Sequence, residues 1–123
     1  MTINETANKL VEYSRTGKWD DATNELYAEN IVSVEPEHSQ GPSRLEGLEA
    51  KRQKDANFSS MIKEYHGNEV SEPLIADNHI TLKMTLDATM QDGNRMKMDE
   101  ICVYRVNSDG KIDYEEFFYS AGS

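Results

Sequence analysis

Apolar residues at Ile3, Ala7, Leu10 and Val11 follow a Thr2-Ile3-Asn4-Glu5 capping box and precede a stop at Gly17, a pattern that predicts an amphipathic first helix. Trp19, Ala22, Thr23, Leu26 and Tyr27 then fall at i, i+3, i+4, i+7 and i+8, predicting a second helix with both aromatic rings on its buried face. Such a stripe either packs a core or lines a pocket. Ile31, Val32 and Val34 form a short β-prone run that ends at Glu35-Pro36, because proline disfavours helix in the residue before it and brings no ladder donor. Ser39 to Pro42 reads as loop. Ser43-Arg44-Leu45-Glu46 offers a second capping box before a third helix, roughly Leu48 to Phe58, whose apolar stripe is weak.

From Met61 onward the period changes from helical to alternating, and four strands are predicted. Ile62 to Glu72 alternates poorly, whereas Ile80, Leu82, Met84, Leu86 and Ala88 alternate cleanly. Met96 to Val106 and Ile112 to Tyr119 are rich in β-branched and aromatic residues. Gln91-Asp92-Gly93-Asn94 and Asn107-Ser108-Asp109-Gly110 supply the left-handed-tolerant residues that antiparallel hairpins need. Three helices followed by a meander of long strands is an α+β layout, with the helices on one face of the sheet. At 123 residues the chain fits one domain, 1–123, built on one core.

Composition narrows the partners. The formal charge of −10 and the scatter of 13 basic residues argue against a nucleic-acid backbone, which is bound by clustered Lys and Arg. Only Lys51, Arg52 and Lys54 lie close together, and on a helix they read as a solvated face. No apolar run approaches the roughly 20 residues of a spanning helix, and Met1 to Gly17 lacks the charge and apolar pattern of a signal peptide. No membrane partner and a cytoplasmic location are therefore expected. Cys102 is the only cysteine, which rules out an intrachain disulfide and a two-cysteine zinc site.

Asp109-Gly110-Lys111-Ile112-Asp113 with Glu116-Phe117 imitates the back half of a calcium-binding EF-hand loop. The front half is missing: Arg105 stands where the first carboxylate ligand belongs, and both flanks read as strands. A β-hairpin explains the same residues. His66, Asp87, Glu35, Glu100 and Glu115 contain no pair at helical ligand spacing, so no metal is expected either.

Several local cues combine with the element order. Gly17-Lys18-Trp19 leads into Leu26-Tyr27-Ala28-Glu29-Asn30, and Glu35-Pro36 follows eight residues after that tyrosine. Gly47-Leu48-Glu49-Ala50 opens the third helix, and Asp109-Gly110-Lys111-Ile112 separates the last two strands. Together these resemble, across almost the whole chain, the SnoaL-like proteins of the nuclear transport factor 2-like superfamily, relatives of ketosteroid isomerase. The resemblance implies three N-terminal helices packed on a curved, mainly antiparallel sheet that forms a cone-shaped pocket. It also implies a homodimer paired through the sheet.

In ketosteroid isomerase the residue before the proline is a general-base aspartate, and Glu35 stands in its place. Desolvation at a strand end facing an apolar cup would suit a carboxylate to proton transfer near neutral pH. The competing reading is a rim glutamate beside a proline turn. The isomerase's oxyanion donors, a tyrosine and a protonated aspartic acid, have no counterpart: the second falls at Cys102, a poor donor, and the first near Leu10. Tyr13 could substitute only if the helix were rotated or shifted, so steroid isomerisation is not expected.

Alternation places Glu100 on the same side as Met98, Cys102 and Tyr104. If the resemblance fixes the facing of the last strand, Glu115, Phe117 and Tyr119 look inward too. Two glutamates at one cavity could share a proton, divide acid and base roles, or form a hydrogen-bonded pair without turnover. His66 is either a proton shuttle or a surface or satisfied core histidine. Alternation turns Asp87 away from Leu86 and Ala88, whereas the resemblance turns it inward, and the facing stays open. The catalytic candidates are thus Glu35, Glu100, Glu115 and His66. The pocket-lining candidates are Trp19, Tyr27, Cys102, Tyr104, Phe117, Tyr119, Tyr13 and Asp87.

Two functions fit this set. One is a cofactor-independent isomerase, cyclase, dehydratase or hydrolase that works on a small apolar molecule by carboxylate chemistry. The other is a ligand-binding or dimerisation module without turnover.

Overall fold

The computed structural model describes residues 1–39 and 41–120. Gln40, within the expected 39–42 loop, lies outside the described residues. The first helix, α1 (Ile3–Arg15), starts at the expected capping box: Thr2 accepts from the Glu5 amide at 3.1 Å, and the Glu5 carboxylate accepts from the Thr2 amide at 2.9 Å. Its buried face is Thr6, Ala7, Leu10, Val11 and Ser14. Gly17 stops it with φ +71°, and a Cβ there would stand 3.0 Å from the Tyr65 ring.

Helix α2 (Trp19–Leu26) is shorter than the apolar stripe suggested. Tyr27 has already turned extended and opens β1 (Tyr27–Val34), so its ring enters the interior from a strand. The expected second capping box is likewise a strand. Arg44–Glu46 forms β2, antiparallel to β1 with Val32 opposite Glu46, and α3 (Leu48–Met61) starts at Gly47 with no side-chain cap.

Five strands follow where four were expected: β3 (Ile62–Val70), β4 (Leu74–Ala76), β5 (His79–Met90), β6 (Arg95–Val106) and β7 (Ile112–Phe118). The poor alternation of Ile62 to Glu72 has a physical source. The β3–β5 register slips between Ile62 and Glu64 and again between Tyr65 and Gly67, and such bulges bend a sheet. The sheet runs β2-β1-β7-β6-β5-β3, with β4 also on β5. All pairings are antiparallel except β1 with β7, which are parallel, so the ends of the first and last long strands lie side by side.

The helices pack on the face bearing Ile80, Leu82, Met84, Cys102, Tyr104, Val106 and Ile112. The pseudo-EF-hand segment is the β6–β7 hairpin. Asn107 Oδ1 accepts from the amides of Asp109 and Lys111, and Arg105 pairs with Asp113 across the strands at 2.9 Å. Gly110 takes φ +80°, and a Cβ there would fall 2.0 Å from the Met1 carbonyl oxygen. Thr6 Oγ donates to the Gly110 carbonyl at 2.7 Å, tying α1 to this turn. No helix among the described residues is long and apolar enough to cross a membrane.

Candidate acid–base site

The parallel pairing of β1 with β7 sets Ser33 beside Glu115, and α3 lies over both. Glu115 is fully buried. Tyr27 donates to its Oε1 at 2.5 Å, Ser33 donates to its Oε2 at 2.7 Å, and the Lys51 ammonium stands 3.1 Å from Oε2. Lys51 also pairs with Asp55 at 2.8 Å, and Asp55 accepts from Thr23 at 2.6 Å. Burial by itself would push the Glu115 carboxyl up. Lys51, then Lys54, and the Tyr27 and Ser33 hydroxyls more than offset it, holding the group below the usual carboxylate range. The same network, in which Glu115 and Asp55 outweigh desolvation, raises the Lys51 ammonium. Burial and the adjacent Glu115 charge keep the Tyr27 phenol protonated. With both oxygens occupied and no solvent contact, Glu115 is an ionised, saturated anchor.

Glu35 is the residue after β1. Its Oε1 accepts from the Tyr119 hydroxyl at 2.9 Å and its Oε2 lies 3.2 Å from Lys54. Its surroundings are therefore charged and hydrogen-bonding rather than the apolar cup expected from sequence. Tyr119 lies just past β7, with its ring edge-on to His38 and its carbonyl 2.8 Å from His38 Nε2. Burial, then the Glu35 charge, raise its phenol. Lys54 also donates to Ser33 at 2.8 Å and lies over the Phe117 ring, 4.7 Å from its centroid.

Glu100 projects from β6 onto the same face. The Cys102 thiol donates to its Oε1 at 3.5 Å. Burial pushes the Glu100 carboxyl up to about 7; the thiol and Lys54 oppose that rise, while the negative charges of Glu35 and Glu115 reinforce it. Burial and the Glu100 charge in turn raise the Cys102 thiol, so it stays a protonated donor rather than a nucleophile. Two open clefts flank Tyr119. One, of about 410 Å³, is lined by Glu35, Pro36, Phe117 and Tyr119 among others, and the second, of about 370 Å³, by Glu100, Ile101, Phe118 and Tyr119 among others.

The structure thus gathers Glu35, Glu100, Glu115, Tyr27, Cys102, Tyr104, Phe117 and Tyr119 along one side of β1, β6 and β7. Tyr104 is buried, edge-on to Phe117. Four candidates lie elsewhere. His66 is exposed and bonded to Thr89 at 2.7 Å. Asp87 points to the opposite face from Leu86 and Ala88 and pairs with Arg95 at 2.8 Å, so alternation, not the resemblance, gives its facing. Tyr13 spends its hydroxyl on Glu25, bridging α1 to α2. Trp19 packs edge-on against Phe58 and Tyr65, with centroids at 6.0 and 5.7 Å.

The reading of Lys51, Arg52 and Lys54 as a solvated face holds for Arg52 alone. Lys51 is 7% exposed and Lys54 is half-buried. A signal was present: Leu48, Lys51, Asp55 and Phe58 sit at i, i+3, i+7 and i+10, so the face that packs on the sheet carries polar groups at core spacing. Ser33, also missed, follows strand periodicity into the interior, and Thr23 lies there as its place in the α2 stripe predicted.

A family model of the SnoaL-like domain matches residues 1–119. No curated protein matches the chain. Among solved structures, a candidate SnoaL-like polyketide cyclase from Mesorhizobium loti is 34% identical, with a TM-score of 0.83 over 97% of this chain and 100% of that one. An NTF2-like protein of unknown function from Exiguobacterium sp. 255-15 is 19% identical, with a TM-score of 0.72 over 98% of this chain and 99% of its own. The epoxide hydrolase/cyclase-like enzyme SalBIII, of pyran ring formation in salinomycin, is 17% identical, with a TM-score of 0.73 over 97% and 91%. These last two share the fold. With the domain model spanning nearly the whole sequence and the Mesorhizobium protein matched along its full length, the chain belongs to the SnoaL-like family.

Proposed function

We propose that the chain is a cofactor-independent acid–base enzyme for a small, largely apolar molecule carrying a polarisable oxygen, with Glu35 as proton acceptor and Glu100 as proton donor. The observation that carries this reading is the unlike setting of two carboxylates on either side of Tyr119. Lys54 and the Tyr119 hydroxyl both engage the Glu35 carboxyl, while burial keeps the Glu100 proton to about pH 7. Titratable groups whose environments differ in this way can divide acid and base roles at neutral pH. In the step this implies, Glu35 takes a proton from carbon beside a carbonyl, the C–H electron pair moves onto the carbonyl oxygen, and the Glu100 carboxyl protonates the resulting enolate. Isomerisation, ring closure and dehydration all begin with such a transfer, in keeping with a family whose solved members include a candidate polyketide cyclase. Glu115 anchors the site and takes no proton. Glu35→Gln should abolish turnover of any substrate while leaving folding intact; full turnover by that variant would overturn the reading.

A second reading, assembly, is favoured by one feature of the outward sheet face. Ile101 and Phe118 are directly paired there and are 42% and 48% exposed. An apolar pair of this kind suits a homodimer through the sheet, and it is compatible with catalysis in the opposite face.

A further inference from the structure

Lys54 is the cation at which the site's acids meet. Its ammonium lies 3.2 Å from Glu35 Oε2 on the β1 side and 4.0 Å from Glu115 Oε2 on β7, and its charge acts on Glu100 of β6. Within α3 its charged neighbours are Lys51 and Asp55, which are spent on each other and on Glu115 and Thr23. The Tyr119 phenol completes the ring of groups through Glu35.

An ammonium carries three N–H donors. Ser33 Oγ at 2.8 Å and Glu35 Oε2 at 3.2 Å take two of them, and Glu115 at 4.0 Å is beyond hydrogen-bond reach. Among the described residues no further oxygen accepts the third. The ammonium sits over the ring of Phe117, a residue that also lines the cleft holding Glu35.

We infer that Lys54 is the positioning residue of this site: it fixes the Glu35 carboxylate beside Tyr119 and holds one N–H ready for the oxygen of a small neutral carbonyl compound. The inference rests on the reading of Glu35 and Glu100 as an acid–base pair. A cation here serves both steps. It pairs with the acceptor in the free protein and counters the negative charge that moves onto the carbonyl oxygen during transfer. It also explains why an acidic chain would still take a substrate through an anionic intermediate.

The test needs no substrate. Carboxyl ¹³C NMR would follow the Glu100 titration in the wild-type protein, in Lys54→Met and in Lys54→Arg, with amide spectra checking that each variant is folded. The wild type should titrate near pH 7 at Glu100. In Lys54→Met the midpoint should rise by about one unit, a tenfold change in proton affinity, because Glu35 and Glu115 then face Glu100 without that cation. Lys54→Arg, which keeps the charge, should return it to the wild-type value. A wild-type midpoint in the usual carboxylate range would overturn the acid–base reading itself. A midpoint near 7 that stays fixed in Lys54→Met, or that Lys54→Arg fails to restore, would overturn the role of Lys54 alone.

Discussion

The hydroxyl of Tyr119 donates to Glu35 Oε1 at 2.9 Å, so that carboxylate oxygen already accepts from a side chain of the protein. Tyr119 lines both clefts, with Glu35 on one side and Glu100 on the other. On the proposed function, a substrate competes with this phenol for the same carboxylate oxygen.

Tyr119→Phe removes that competitor and keeps the ring. With the loss of one hydrogen bond worth roughly 1 kcal/mol, the variant should lower KM about fivefold while kcat holds. Steady-state kinetics on any active substrate checks this, and an unchanged or raised KM would count against competition.

Glu115 tests the distinction between anchor and catalyst. Glu115→Gln leaves Lys51 buried without its full partner, and breaking a buried ion pair costs about 3–5 kcal/mol. Urea unfolding should show a loss of that size, against less than about 1 kcal/mol for Glu35→Gln at the half-buried cleft wall. Equal losses would put the two glutamates in the same class.

Much of the frame was legible in the sequence because periodicity reports burial. The alternation from Ile80 to Ala88 is the core face of β5, and the capping box at Thr2 is the start of α1. Two kinds of feature were not. Tyr27 continues the helical spacing of α2 by coincidence, and only the tertiary pairing of β1 with β7 turns it extended. Lys51 and Lys54 read from sequence as part of a solvated face with Arg52, because charged residues are rarely buried unless they are paired. Their partners, Glu115 and Ser33, lie more than fifty and about twenty residues away in the chain, and no local pattern announces such a pairing. The inward glutamate of β6 was visible from strand alternation and that of β7 only through the family resemblance, whereas the lysines beside them were not.

The pH dependence of stability carries opposite signs for two of these glutamates. The Glu115 carboxyl is lowered by folding, so its contribution is fully present above the unfolded value of 4.5 and is lost as pH falls from there through the lowered folded-state value. The Glu100 carboxyl is raised from 4.5 to about 7, so folding disfavours its ionisation: the penalty is absent below pH 4.5, grows up to 7 and is constant above. The full penalty is on the order of 3 kcal/mol. Glu100→Gln should therefore gain on the wild type progressively between those two pH values, as read from urea midpoints. A difference that is flat with pH would mean that Glu100 titrates alike in the folded and unfolded chain.

The outward pair Ile101 and Phe118 makes its own prediction. Native mass spectrometry at micromolar concentration should show a dimer, and Phe118→Asp should yield a folded monomer. A monomeric wild type would remove the assembly reading.

The central claim is that Glu35 moves a proton to or from carbon with Glu100 as its acid partner. The direct test is ¹H NMR of a panel of small apolar ketones in deuterated buffer near pH 7, which reads exchange of the protons beside the carbonyl whatever the eventual product. The wild-type protein should accelerate that exchange for at least one ketone, and Glu35→Gln should return it to the buffer rate. Exchange at the buffer rate across the panel, or equal exchange by wild type and Glu35→Gln, would contradict the account.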